Sequence, residues 1–376
     1  MIHSKIHLHW RAQPPCARFR TGVSLHSHTL HSREGLDFIS QAARRAPLLA
    51  SALRRGERDY LRIHAVPLDL SRGWWTPPLG PHDAWTLERS QIESLGMNAL
   101  VSLTDHDDIE APTSLQLLEQ CRGVPISVEW TVPQGSTFLH LGVHNLPPFQ
   151  AREFFTRMEQ HRHFPDSGRL RQLLADLDSR PETLVVLNHP LWDETGIGAP
   201  AHEQVSHGFL DSYGCFIHAL EINGLRPLGE NRRVVALAKA MQKPLISGGD
   251  RHAVEPNAVL NLTNAAVFSE FAEEIRSGWS DVLVLPHYRE PHALRIVHNL
   301  IDVLRTYERH AKGWRLWSDR AFYRCDDGAV RSLTELFGSR IPAPIAVFVS
   351  VLRLFSTPRI QKWLKGAWPS GGEVTL

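Results

Sequence analysis

Cysteine is scarce: Cys16, Cys121, Cys215 and Cys325 are the only four in 376 residues, and no two form a C-x-x-C pair. That excludes a disulfide framework and a thiolate zinc site, and it fits a reducing compartment. Long apolar runs are missing too. The longest, IPAPIAVFVSVLRLF at 341–355, is broken by prolines and by Arg353, and the N-terminal MIHSKIHLHWRAQPP has no apolar signal-peptide core. The basic, aromatic LRLFSTPRIQKWLKGAW that follows suits a membrane surface less well than a solvated face. A soluble, cytoplasmic chain with no stable membrane insertion is expected. A large excess of one charge is also absent: a net of +1 with 22% charged residues excludes both a polyanion binder and an acidic disordered chain. The distribution is uneven, since residues 287–376 hold 14 Lys+Arg against 8 Asp+Glu, a net of +6, which leaves −5 for residues 1–286. Internal repeats and low-complexity tracts are lacking.

Histidine is what the sequence has in excess, at 22 residues. At that abundance roughly one H-x-H pair arises by chance; three occur, His7/His9, His26/His28 and His161/His163. Context separates them. Short strand-like runs recur, each ending in turn or metal-ligand residues: TGVSL before His26, NALVSLT before Asp105, VPISV before Glu129, TLVVLN before His189, ALEIN before Gly224 and KPLIS before GGDRH. Helical patterns at 82–96 and 230–242 lie between them. Strands alternating with helices predict βα units around a mainly parallel sheet, with a site at the carboxyl ends of the strands.

On an extended chain residues i and i+2 face the same way, so His26 and His28 can grip one metal, as can Asp250 and His252 with Arg251 pointing elsewhere. In TDHDD the same geometry presents either Asp105 with Asp107 or His106 with Asp108. Glu129 ends its strand, His140 is central in FLHLGVH with His144 as the alternative, and His189 precedes a proline. Imidazoles mixed with carboxylates suit Zn, Mn or Fe. The pool exceeds one site, so two or three divalent ions sharing a bridging carboxylate are expected, the arrangement used for in-line attack at phosphorus.

The order H-x-H, T-D-H-D, a strand-ending Glu, H-x-G, N-H-P and G-x-D-x-H resembles the polymerase-and-histidinol-phosphatase (PHP) family over about residues 20–255. The resemblance implies a distorted (β/α)7 TIM-like barrel holding two or three Mn, Fe or Zn ions. Carried over by position, the ligands would be His26, His28, His106, Glu129 as the bridge, His140, His189, Asp250 and His252. The first motif departs from the family: Arg33 stands where an Asp is common, so either Glu34, shifted by one residue, or His31 fills that place.

The expected organisation is a metal-binding barrel over 1–286, interrupted by an Arg-rich helical insertion or lid at 36–80, and a helical C-terminal extension over 287–376 in which SLTE (332–335) forms a capping box. The expected activity is hydrolysis of a phosphomonoester or nucleotide-like substrate by a hydroxide shared between metals, with a small phosphorylated substrate or an oligonucleotide as partner. Glu129, Asp250, His252 and Asp105 are the residues expected to carry catalysis, Asp105 by orienting a ligand histidine. Arg251 and Arg226, and the insertion arginines Arg44, Arg45, Arg54, Arg55 and Arg58, are candidates for binding the phosphate. Trp74 and Trp75 are candidates for stacking a base. The alternative class is a non-catalytic metal- or partner-binding module, favoured by the altered first motif. An amidohydrolase-like barrel is disfavoured because no lysine ends any of these strands.

Overall fold

The computed structural model describes residues 2–11, 17–36, 47–304, 310, 312–337 and the single positions 350, 354, 357, 359 and 360. Apart from those positions, the apolar run 341–355 and the basic stretch after it lie outside these residues, as do Arg44 and Arg45. No helix among the described residues is long and apolar enough to cross a membrane.

The chain is mixed α/β with three sheets. The first holds β1 (His3–Leu8), β2 (Thr21–Ser24), β5 (Asn98–Val101), β11 (Val259–Thr263) and β12 (Trp279–Val284), in the order β1–β12–β11–β2–β5. The second holds β6 (Ile126–Gln134), β7 (Thr137–Leu146), β8 (Leu184–Asn188), β9 (Ala219–Asn223) and β10 (Leu245–Gly248), in the order β10–β9–β8–β7–β6. The third is smaller: β14 (Val330–Ser332), β13 (Ala321–Arg324), β4 (Gly73–Trp75) and β3 (Glu34–Gly35).

The two large sheets meet at their edges, but no continuous ladder among the described residues closes them into a barrel. Single bridges tie Ser27 to Arg251 and His106 to Glu129, and Leu245 N–H reaches Ser4 Oγ at 3.1 Å. Nor is the pairing mainly parallel. β7 runs antiparallel to β6 and β8, and β11 to β2 and β12. For β7 the cause is local: Gly135–Ser136 joins β6 to β7 as a two-residue turn, with Gly135 at φ +63°. A turn that short makes a hairpin, whereas a parallel pair needs a crossover of a dozen residues or more.

Elsewhere the patterns hold. Helices occur at Pro81–Glu93 and Leu228–Ala240, the first with its proline in the opening turn where no N–H is missed. β8 and β9 are buried along their whole length, as strands covered on both faces are. Over them lies helix Ser167–Asp178, which turns Leu170, Leu173, Leu174 and Leu177 inward. His7, on edge strand β1, pairs with Asp281 at 2.6 Å, so it belongs to the first sheet.

The C-terminal extension is not purely helical. After helix His292–Val303 comes the β13–β14 hairpin, and β13 pairs with β4 of the insertion. The SLTE box is present: Ser332 N–H donates to Glu335 Oε2 (2.6 Å) and Glu335 N–H to Ser332 Oγ (3.2 Å), opening helix Leu333–Phe337. Tyr60 of the insertion helix Pro47–His64 packs on Tyr323 with ring centroids 5.4 Å apart. Insertion and extension therefore build one unit, whose edge strand β3 carries Glu34.

Candidate metal centre

Most donors follow strand ends, but Glu129, expected to end its strand, lies inside β6, which runs on to Gln134 into the hairpin, and His140 lies inside β7. His26 and His28 follow β2 and are zipped to the turn after β10, where His28 N–H donates to Arg251 O (2.8 Å) and Asp250 N–H to His26 O (2.7 Å). His106 follows β5 and is bridged to Glu129 in β6; His140 lies in β7 directly opposite Asn188, the residue before His189. His26, His189 and Asp250 all have positive φ, +68°, +25° and +54°. Such conformations cost non-glycine residues on the order of 1 kcal/mol each and persist where surrounding structure enforces them. These three strained residues together form one set of donors whose ligand atoms lie within 4.8 Å of one another.

Glu129 is fully buried at the centre. Its Oε2 lies 2.8 Å from His26 Nε2, 3.3 Å from His28 Nε2 and 3.4 Å from His106 Nε2. Its Oε1 faces the other way, 3.2 Å from His189 Nε2 and 3.5 Å from His140 Nδ1, and accepts from Asn188 Nδ2 at 3.0 Å. Asp250 is divided similarly. Oδ1 stands 3.5 Å from His28 Nε2 and 3.6 Å from both His26 Nε2 and His252 Nδ1, while Oδ2 accepts from Arg226 (3.0 Å) and Asn223 (3.2 Å). Glu34 Oε2 lies 3.3 Å from His106 Nε2 and from His252 Nε2. Five overlapping three-donor groups result: His26–His189–Asp250, His26–His28–Glu129, His28–Glu34–His106, His28–Asp250–His252 and His106–Glu129–His140.

Electrostatics divides the histidines. Burial, aided by neighbouring His252, lowers the His28 pKa to about 4, and burial drives His140 well below its ordinary range despite Glu129. Burial also works against charge on His26, but Glu129, Glu221 and Asp250 outweigh it and raise that pKa; Glu34 does the same for His106 and His252. Conversely, Glu129, Glu34 and Asp250 are held well below the usual carboxylate range by the surrounding histidines, in spite of burial. His28 decides whether the set suits a cation. Its ring is stacked between His106 (4.8 Å, 23°) and His252 (4.3 Å, 20°), and its buried Nε2 has no hydrogen-bond partner although two carboxylates face it. A neutral imidazole with a bare, buried nitrogen among carboxylates fits a divalent metal of the Zn, Mn or Fe type.

Several supporting residues escaped the sequence reading. Glu221, in β9, accepts from His26 Nδ1 at 2.8 Å and so leaves Nε2 to face the centre. Its only signal was an acid inside the otherwise apolar ALEIN. Gly248 makes room for it, since a Cβ there would lie 2.0 Å from Glu221 Oε2. Glu194 stands at the rim, 3.9 Å from His140 Nδ1.

Other residues fall elsewhere than expected. Asp105 touches no ligand ring; it accepts from Thr29 N–H and from Thr29 Oγ1 (2.7 Å), fixing the turn after His28, and burial pushes its carboxyl up to about 7. Arg251 is turned out of the centre toward Glu88 (3.3 Å) and the carbonyls of Ala253 (3.1 Å) and Val254 (2.9 Å), because the zipped backbone sends its side chain opposite to Asp250. Arg226 does reach the site, its guanidinium 3.9 Å above the Trp192 ring. His31 belongs to no donor group, and Arg33 lies over Trp74 at 5.7 Å. His144 is paired with Ser102 at 2.8 Å outside the cluster, where burial lowers its pKa to about 3. Arg54, Arg55 and Arg58 are exposed on the insertion helix.

No family model matches the chain, and no curated protein matches it. Solved structures with some likeness include an amidohydrolase from Chromobacterium violaceum with bound sulfate and no metal (16% identity, 47% of this chain and 84% of that one, TM-score 0.32). PsfC from Pseudomonas syringae is similar at 15% identity over 57% and 87%, with TM-score 0.40. A proposed metal-dependent phosphoesterase from Bifidobacterium adolescentis is similar at 15% identity over 53% and 92%, with TM-score 0.34. Likeness at this level carries no argument about activity, so the reading below rests on the chain's own geometry.

Proposed function

We propose that the chain is a metal-dependent hydrolase of the PHP kind, acting on a phosphomonoester or nucleotide-like substrate, on an opened variant of the distorted (β/α)7 barrel. The observation that carries this reading is the division of Glu129, whose two oxygens face two separate histidine sets. A carboxylate so placed would suit two ions, one held near His140 and His189 and the other near His26, His28 and His106. Glu34, His106, His28 and His252 offer a third position.

Bound ions would supply Lewis-acid polarisation of a phosphoryl oxygen and activation of the attacking water. The protein's own part is to hold donors rigidly and dry. Asn188 and Glu221 fix the ring and carboxylate orientations, the depressed His28 pKa keeps a lone pair available at neutral pH, and Arg226, with its Nε buried and unpaired, is placed to bind an anionic oxygen. The altered first motif, with Arg33 in the Asp position, favours the non-catalytic alternative; the placement of Glu34 beside His106 and His252 weighs for the catalytic reading. Elemental analysis of the purified protein, with an aryl phosphate assay in added Mn, tests the reading. Two or more ions per chain with turnover are expected, and the absence of both overturns it.

A further inference from the structure

We infer that the C-terminal segment 317–324 is part of the metal centre, acting as a positioning element for Glu34; this rests on the metal-centre reading above. β3 is two residues long, too short to hold its own place. Its support is a row of backbone pairs running across the small sheet: Glu34 opposite Trp75, and Trp75 opposite Ala321. The next row repeats the pattern, with Gly35 opposite Trp74 and Trp74 opposite Phe322.

Side chains lock the same seam. The Trp74 and Phe322 rings stack at 5.8 Å and 30°. Thr76 N–H donates to Arg320 O (2.9 Å), and the buried Arg320 guanidinium returns a bond to Thr76 O (3.0 Å) and another to Val303 O. Trp75 leans on the His252 ring at 5.7 Å. Thus β13 fixes β4, β4 fixes β3, and β3 sets Glu34 Oε2 midway between His106 and His252. Donor placement within about half an ångström decides whether a site closes on its ion. Glu129, His140 and His189 are carried by the second large sheet or its strand ends and do not depend on this ladder. Loss of the seam therefore weakens one ion selectively.

The test is Mn titration by calorimetry, with elemental analysis, on the full chain and on Glu34→Gln, Phe322→Ala and the double variant. Phe322→Ala is expected to weaken the ion that Glu34→Gln removes by roughly 10- to 100-fold, to leave the other ions in place, and to have no further effect once Glu34 is Gln. Phe322→Tyr, which keeps the stack, restores binding. Should Phe322→Ala not fold, Phe322→Leu carries the same comparison. A wild-type titration in Phe322→Ala overturns the inference, as does equal weakening in the Glu34→Gln background or an unchanged ion count in Glu34→Gln; each leaves the hydrolase reading standing. A wild-type chain that binds no Mn, Zn or Fe overturns both.

Discussion

Replacing Glu129 by Gln exchanges one carboxylate oxygen for an amide nitrogen among five imidazoles, those of His26, His28, His106, His140 and His189. Bound metal is expected to drop and kcat/KM on an aryl phosphate to fall by more than roughly 100-fold, beyond what loss of a supporting residue alone costs; full rate in the variant would remove Glu129 from the centre. Gly248→Ala tests the layer behind it. The added methyl overlaps Glu221, which must release His26 Nδ1, so metal affinity is expected to weaken by roughly 10- to 100-fold, checked by Mn titration beside a thermal melt. Unchanged affinity would detach Glu221 from the site. At this scale the pairs His26/His28 and Asp250/His252 were legible from their spacing, although with His26 at φ +68° and Asp250 at φ +54° it is the turns after β2 and β10, not extended-strand alternation, that bring each pair together. Glu34 against His31 was not legible, because it depends on what another strand places beside it.

At the scale of elements, apolar spacing located the helices at 81–93 and 228–240 and the buried strands β8 and β9, since burial on one stripe or on both faces leaves its period in the sequence. Helix Ser167–Asp178 shows how much such a stripe contributes. Leu174 is fully buried within the main core, and Leu174→Ala is expected to cost about 2–5 kcal/mol, measured by urea unfolding. A change under about 1 kcal/mol would mean the helix packs less tightly on β8. The β3–β4–β13–β14 sheet left no such trace. Its strands are short, and the central pair joins β4 to β13 from opposite ends of the chain, Trp74 facing Phe322, so no local pattern announces that pairing.

For the whole molecule, pH acts through His218, remote from the metal centre. Val185 N–H donates to its Nδ1 (2.8 Å), and its Nε2 lies 2.8 Å from Asp178 Oδ1 and 2.5 Å from Arg276 Nη1. Burial lowers its pKa to about 4 from 6.5, outweighing Asp178, with Arg276 acting in the same direction as burial. The unfolded chain takes up this proton near pH 6.5 and the native chain only near 4. The contribution is therefore fully present above about 6.5 and is lost as pH falls toward 4, a loss on the order of 3 kcal/mol. Denaturant midpoints across that range should fall less steeply in His218→Gln than in wild type; identical profiles would assign the dependence elsewhere.

Pattern along the chain carries the mixed α/β alternation and the position of His26, His28, His106, His189, Asp250 and His252 just past strands, whereas Glu129 and His140 lie within β6 and β7 rather than at their ends. Contacts in three dimensions, not chain pattern, leave the described sheets without a closed ladder, put Glu34 rather than His31 beside the other candidate donors, and set Glu221 behind His26. They also join the insertion to the C-terminal hairpin. The physical reason is the same in each case: these outcomes depend on contacts between segments far apart in the chain, and side-chain period carries no information about which distant strand will lie alongside.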